Sequence, residues 1–240
     1  MPKPFLSAEW RNLLMANYAI DPAVLQPYLP AYTELDTFND THYVSLVGFL
    51  FTNTRVRGIA FPFHRTFEEV NLRFYVRYKE GNQWKRGVVF VKEIVPMHVI
   101  TFIANTLYGE KYATHPMQHQ WKQTDAELEV VYKWKVAGSW NYLKATAERE
   151  STTILPGSEE EFITEHYWGY TPINPTCTGT YEVVHTKWKV HTVKEFNCLC
   201  NVPLLYGSAF EAALQAQPTS VFLADGSAVE VMIGSKIYNR

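Results

Sequence analysis

A mainly β protein of the α+β class, built as a closed or nearly closed barrel or as two stacked sheets, is what the sequence predicts. Three observations carry that expectation. Aromatic residues occupy 15% of the 240 positions and fall mostly in short alternating runs, the pattern of packed sheet faces. Turn signals separate many segments of strand length. Hydrophobic residues at 47% and charged residues at 19% supply one sizeable core and no sign of a disordered class. No internal repeat, low-complexity tract or Gly/Ser-rich linker divides the chain, so residues 1–240 are expected to form a single domain.

Taken in order, the alternation predicts strands over residues 10–19, 43–53, 71–78, 87–95, 117–123, 128–136, 140–147, 180–185, 188–193, 220–223 and 228–233. Helices are few. In IDPAVLQPYLP, Asp21 can cap a helix with Pro22 at its first position, and Pro30 closes it. PMHVITFIANTLYG spaces Ile100, Ile103 and Leu107 on one face, with Gly109 to end it. GSEEEFITEHYW offers Ser158 and Glu161 as a capping box for a helix running toward Tyr167, and a further short helix is expected around 209–214. Asp225-Gly226, between SVFLA and SAVEVMIG, predicts a tight hairpin turn. KEGNQWKR reads as a longer hairpin loop around Gly81, and PINPT, residues 172–176, as the longest exposed loop.

The formal net charge of -2 provides no basic field for nucleic acid or for an anionic membrane surface. No segment approaches the ~18 apolar residues of a membrane helix, and MPKPFLSAEW lacks a secretory signal pattern, so a soluble, cytoplasmic protein is expected. Cys177, Cys198 and Cys200 read as free thiols in a reducing compartment. There is no Gly-rich phosphate loop, dinucleotide fingerprint or serine elbow. His115 with His119, and His185 with His191, lack the third and fourth converging ligands of a zinc site, so neither a metal nor another cofactor is expected. The expected partner is a small molecule. Self-association into a homo-oligomer is left open, and the aromatics Trp84, Trp121 and Trp168 are candidates for an interaction surface.

The stretch GVVFVKEIVP, residues 87–96, is apolar on both sides yet carries Lys92 and Glu93 at its centre. Regular alternation groups Val88, Phe90 and Lys92 on one face and Val89, Val91 and Glu93 on the other. On the preceding strand Asn71, Arg73, Tyr75 and Arg77 form a polar face. Register then decides the chemistry. With Lys92 opposite Arg73, two cations share an apolar setting, which lowers the lysine pKa and suits Schiff-base formation with a carbonyl. With Glu93 opposite Arg73, the pair is a buried ion pair, which organises a site without implying catalysis. Glu161 and Glu165, four residues apart, read as a solvated helix face.

The runs WRNLLMANYAIDPAVLQPYLP, LDTFNDTHYVSLVGFLFTNTRVRG, EEVNLRFYVRY, GVVFVKEIVP and EEFITEHYWGYT, with VVHTKWKV, together resemble the uncharacterised YqjF-like family of the acetoacetate decarboxylase-like superfamily. The resemblance implies an antiparallel β-barrel with a few peripheral helices around a polar pocket for a small organic acid or carbonyl compound. It places Lys92 at the Schiff-base lysine of the decarboxylases and Glu93 where they carry a second, pKa-lowering lysine. A carboxylate there does not depress the lysine pKa. The expected site therefore comprises Lys92 as amine nucleophile, Arg73 as anion clamp and Glu93 beside them. Glu69, Asn71 and Tyr75 join Arg73 in binding the ligand. The function is either lyase-type chemistry on a small keto acid or noncatalytic binding of a small organic anion.

Overall fold

The computed structural model describes residues 3–60, 65–107 and 109–238. In chain order its strands are β1 (Leu6–Ala19), β2 (Thr33–Leu35), β3 (Tyr43–Val56), β4 (Phe67–Glu80), β5 (Gln83–Val95), β6 (Tyr112–Thr114), β7 (Met117–Gln123), β8 (Glu127–Val136), β9 (Ser139–Thr153), β10 (Trp168–Asn174), β11 (Cys177–His185), β12 (Lys189–Leu199), β13 (Ser220–Val231) and β14 (Ser235–Tyr238). Helices α1 (Pro22–Leu25), α2 (His98–Leu107), α3 (Glu159–Thr164), α4 (Val202–Tyr206) and α5 (Glu211–Gln215) interrupt them.

Among the described residues β11, β10, β5, β4, β3, β1 and β13 are hydrogen-bonded neighbours in that order, and β11 pairs back onto β13 at Val183↔Val231. Seven strands thus close a ring, antiparallel except where β5 meets β10 in parallel. Closure removes the exposed strand edges that an open sheet leaves. From β13 the sheet continues through β12, β9 and β8 to β7 and packs against the outside of the ring.

Two cores result from the two faces of the ring strands. The inner one gathers Leu13, Met15, Val47, Phe49, Phe51, Phe67, Tyr75 and Val88, with Phe162 and Ile163 of α3. The outer one gathers Leu14, Ala16, Leu46, Leu72, Phe74 and Val89 against Tyr132, Trp134 and Leu143 of β8 and β9. Period-2 side-chain alternation along β1, β3 and β4 produces both at once. Tyr132 ties the layers together by donating to the carbonyl of Asn12 at 2.8 Å.

Several expectations are corrected. Asp225-Gly226 is not a hairpin turn: β13 runs straight through it, opposite Arg11 of β1. Gly226 has φ +79° there, and a Cβ would lie 2.0 Å from the Trp10 carbonyl oxygen, so glycine marks a close strand approach rather than a chain reversal. PINPT is not a long loop, because β10 extends to Asn174 and β11 begins at Cys177. The β4–β5 hairpin has only Gly81 and Asn82 between its strands. Strands β2, β6, β10 and β14 and helix α4 were not expected from the sequence.

Helix ends follow their caps. Asp21 accepts from the Ala23 N–H at 2.8 Å, starting α1. Ser158 accepts from the Glu161 N–H at 3.2 Å, but the Glu161 carboxylate accepts from Gly157 rather than closing the box on Ser158, and α3 stops at Thr164 instead of reaching Tyr167. Of the expected apolar face of α2, the side chains of Ile103 and Leu107 lie outside the described residues.

Candidate functional site

The ring encloses a cavity of about 230 Å³. Most of its wall is apolar and aromatic, including Trp10, Phe49, Phe90, Trp168 and Trp188. Its polar groups come from β3 (Thr54), β4 (Glu69, Asn71, Arg73), β5 (Glu93), the segment leading into β6 (Glu110), β6 itself (Tyr112), α3 and the residues after it (Thr164, His166) and β11 (Tyr181, His185).

Neither register expected for the β4–β5 hairpin occurs. Arg73 faces Phe90, Leu72 faces Lys92 and Asn71 faces Glu93, with one extra residue, Val91, absorbed between them. Such a bulge reverses the alternation beyond it. Val88 and Phe90 face the cavity before the bulge, and Glu93 faces it afterwards. Were Val91 paired with Leu72 in an unbulged continuation from Arg73 and Phe90, Lys92 would stand opposite Asn71 and point inward. Instead Lys92 opposes Leu72, does not line the cavity, and is half-buried on the outer side of the ring, where burial holds its pKa below the usual lysine range. Lys92 and Arg73 are therefore not brought together.

Arg73 is 8% exposed. Its Nη2 donates to the Ile163 carbonyl at 3.2 Å and contacts the Met15 sulfur at 3.8 Å, while its Nε has no partner. Among the described residues no carboxylate forms an ion pair with it. Tyr75, expected in the pocket, shares the inward face of β4 but is packed away beneath the cavity: its hydroxyl is 2.6 Å from Ser45 and its ring contacts Phe162 and His166. Beside Arg73, His166 Nε2 lies 3.2 Å from Asp36, which also accepts from Arg86 at 2.6 Å. Burial alone would raise the Asp36 pKa, but these two partners bring it down to about 2. Burial lowers the His166 pKa, against the opposing pull of the Asp36 carboxylate.

A group of three carboxyls forms the second polar feature. Glu69 accepts from Asn71 at 2.9 Å and from the Tyr112 hydroxyl at 3.0 Å. Glu110 accepts from Thr171 at 2.8 Å and Tyr181 at 2.9 Å. Glu93 is 2% exposed and its Oε2 has no partner. Burial raises all three, Glu69 and Glu110 to about 7 and Glu93 well above its ordinary value, with the neighbouring carboxyls adding to the effect on Glu69 and Glu93. Gly169 makes room for this group, since a Cβ would fall 2.2 Å from the Tyr181 ring.

The sequence identified Glu69, Asn71, Arg73 and Glu93 as neighbours because they share one hairpin. Glu110, Tyr112 and Tyr181 were missed. The parallel pairings of β5 with β6 and β10 bring them in from distant segments, and no local pattern marks Glu110. The alternation of Tyr181, Val183 and His185 on β11 was a signal that could have been used. The three tryptophans considered as an interaction surface have separate roles: Trp168 lines the cavity, Trp84 lies under Arg77 at 4.4 Å and Trp121 packs on His119.

The fold is similar to that of acetoacetate decarboxylase from Legionella pneumophila subsp. pneumophila str. Philadelphia 1, with a TM-score of 0.65, 13% identity, and 98% of this chain and 88% of that one covered. The enduracididine biosynthesis enzyme MppR in complex with pyruvate gives a TM-score of 0.67 at 13% identity over 98% of this chain and 91% of that one. An acetoacetate decarboxylase-like enzyme from Sphingomonas wittichii RW1 gives 0.68 at 12% identity over 99% and 95%. These similarities establish an acetoacetate decarboxylase-like fold. In sequence, the uncharacterized protein YqjF of Bacillus subtilis (strain 168) is 32% identical over 127 residues, 52% of this chain and 50% of that protein, so the chain spans about half the length of the curated relative it matches. A family profile described as an uncharacterized conserved protein matches residues 7–228, and the chain belongs to that family, DUF2071.

Proposed function

We propose that residues 1–240 form one ligand-binding barrel whose cavity holds a small organic acid, with the carboxylate on Arg73. The observation that carries this reading is a buried guanidinium lining a cavity with an unpartnered Nε and, among the described residues, no ion-paired carboxylate. A buried cation without a counter-charge is costly, and a ligand carboxylate relieves that cost through a charge-assisted, bidentate contact. The cavity volume suits the size. A cavity of roughly 150 Å³ holds benzene, so about 230 Å³ admits a molecule of about nine non-hydrogen atoms. MppR, of the same fold, binds pyruvate, which makes short keto acids the first ligands to try. The three free thiols suit a cytoplasmic location.

The test is titration calorimetry with pyruvate, acetoacetate and pentanoate. Arg73→Met is expected to weaken binding by about 100-fold while raising the melting temperature, because a buried charge is removed. Equal affinity in the variant would overturn the reading.

A second reading, lyase-type chemistry through a Schiff base on Lys92, is favoured by the lowered pKa of that lysine and by its place in the resemblance. Its outward position favours binding without it. Borohydride reduction in the presence of pyruvate or acetoacetate is expected to leave Lys92 unmodified, and Lys92→Met to bind as the parent does. An adduct on Lys92, seen by mass spectrometry, would favour the lyase instead.

A further inference from the structure

Anion binding at Arg73 leaves the other polar feature of the cavity unused. Glu69 and Glu110 are each satisfied by two donors, whereas Glu93, equally buried, presents an oxygen with no partner. A buried acceptor left unmade costs ~1–3 kcal/mol. Among the described residues, six polar atoms of the lining side chains are buried without a partner, Trp10 Nε1, Thr54 Oγ1, Asn71 Oδ1, Arg73 Nε, Glu93 Oε2 and His166 Nδ1, and two of them belong to a guanidinium and a carboxyl group that are each more than nine-tenths buried, Arg73 and Glu93.

Their spacing follows from the strands. Glu93 sits opposite Asn71, two residues from Arg73 along β4, which separates the two levels by about 7 Å. Between and around them the wall is aromatic, with Trp10, Phe90, Tyr112 and Tyr181, surfaces that accommodate an organic cation. The groups acting on Glu93 are Glu69 from β4, Glu110 from the segment before β6, Tyr112 from β6 and Tyr181 from β11; the cations nearby act on its neighbours, Arg73 on Glu69 and Lys111 on Glu110. Carboxyls outnumber cations at this end.

We propose that the ligand is a small zwitterion, with its carboxylate on Arg73 and an ammonium or similar cationic N–H donor on Glu93, Glu69 and Glu110. The inference rests on the reading of Arg73 as a carboxylate site and extends it to the far end of the ligand. An unbranched ω-amino acid of five carbons has eight non-hydrogen atoms, within the size allowed, and spans roughly the 7 Å between the two levels. Because the acid group is partly protonated near neutral pH, capture of the ammonium drives protons off it.

Titration calorimetry of the full chain with 5-aminopentanoate, 4-aminobutyrate, pentanoate and pentylamine tests this, in phosphate and in Tris so that proton release is counted. At pH 7.5 we expect 5-aminopentanoate to bind about tenfold or more tightly than pentanoate, with release of protons that pentanoate does not cause. The preference should grow from pH 6 to pH 8. In Glu93→Gln the ratio of the two affinities should fall to near one. Equal affinities in the parent protein, or a preference that survives Glu93→Gln, overturns the zwitterion while leaving the carboxylate reading intact. If pentanoate and the amino acids all fail to bind, the carboxylate reading falls and this inference with it. Should Glu93→Gln not fold, the parent's affinity ratio and proton count decide alone.

Discussion

Glu69, Glu93 and Glu110 hold their protons more tightly in the folded chain than in the unfolded one, because burial penalises the charged form. The folded state therefore binds more protons from about pH 4.5 up to about 7, and the stability these groups contribute is lost as pH rises through that window. Each unit of separation is worth ~1.4 kcal/mol. Melting temperature is expected to peak near pH 5 and to be lower at pH 8 by about 5 °C or more. Glu93→Gln removes one titrating group, so its melting temperature should vary less over the same range. Asp36 acts in the opposite direction: held at about 2 by His166 and Arg86, it contributes stability above its unfolded value and loses it as pH falls toward 2. A melting temperature that rises steadily from pH 5 to pH 8 would contradict the raised pKa values of the three buried carboxyls.

Within the β4–β5 hairpin, the bulge decides which charge enters the cavity. With Val91 left out of the pairing, Glu93 turns inward and Lys92 outward, and deleting Val91 closes the bulge without moving these pairs, since Phe90, Lys92 and Glu93 then meet Arg73, Leu72 and Asn71 in regular alternation. Borohydride trapping with pyruvate is therefore expected to leave Lys92 unmodified in the deletion variant as in the parent. Gly226 is the counterpart on β13. Gly226→Ala places a Cβ against the Trp10 carbonyl at φ +79°, and is expected to destabilise by ~2 kcal/mol or more in denaturant unfolding. Gly169→Ala instead displaces the Tyr181 ring, so it should weaken ligand binding more than stability. Element existence was largely legible: β1, β3, β4, β5, β7, β8, β9 and β11 each cover an expected strand, since alternation and aromatic content are local signals. β2, β6 and β14, only three or four residues long, are too short for a period to show. β10 was masked by the two prolines of PINPT, and Asp225-Gly226 misled because a glycine at positive φ serves a close approach of two strands as well as a turn.

Across the whole molecule, the ring strands serve two cores, one on each face. Losing the outer layer exposes the backs of the strands that wall the cavity, so one cooperative transition is expected in calorimetry. Two separated transitions would show that β7, β8, β9 and β12 melt independently of the ring. The sequence by itself determined the β class, most strands, the caps of α1 and α3, and the shared inward face of Glu69, Asn71 and Arg73, because each depends on contacts within a strand, a turn or a helix end. Tertiary structure alone decided that the ring closes through β11 and β13, that Glu110 and Tyr181 join Glu69 and Glu93, and that Glu93 rather than Lys92 faces the cavity. Those outcomes depend on pairing between segments far apart in the chain and on a one-residue bulge, and neither leaves a periodic mark on the sequence.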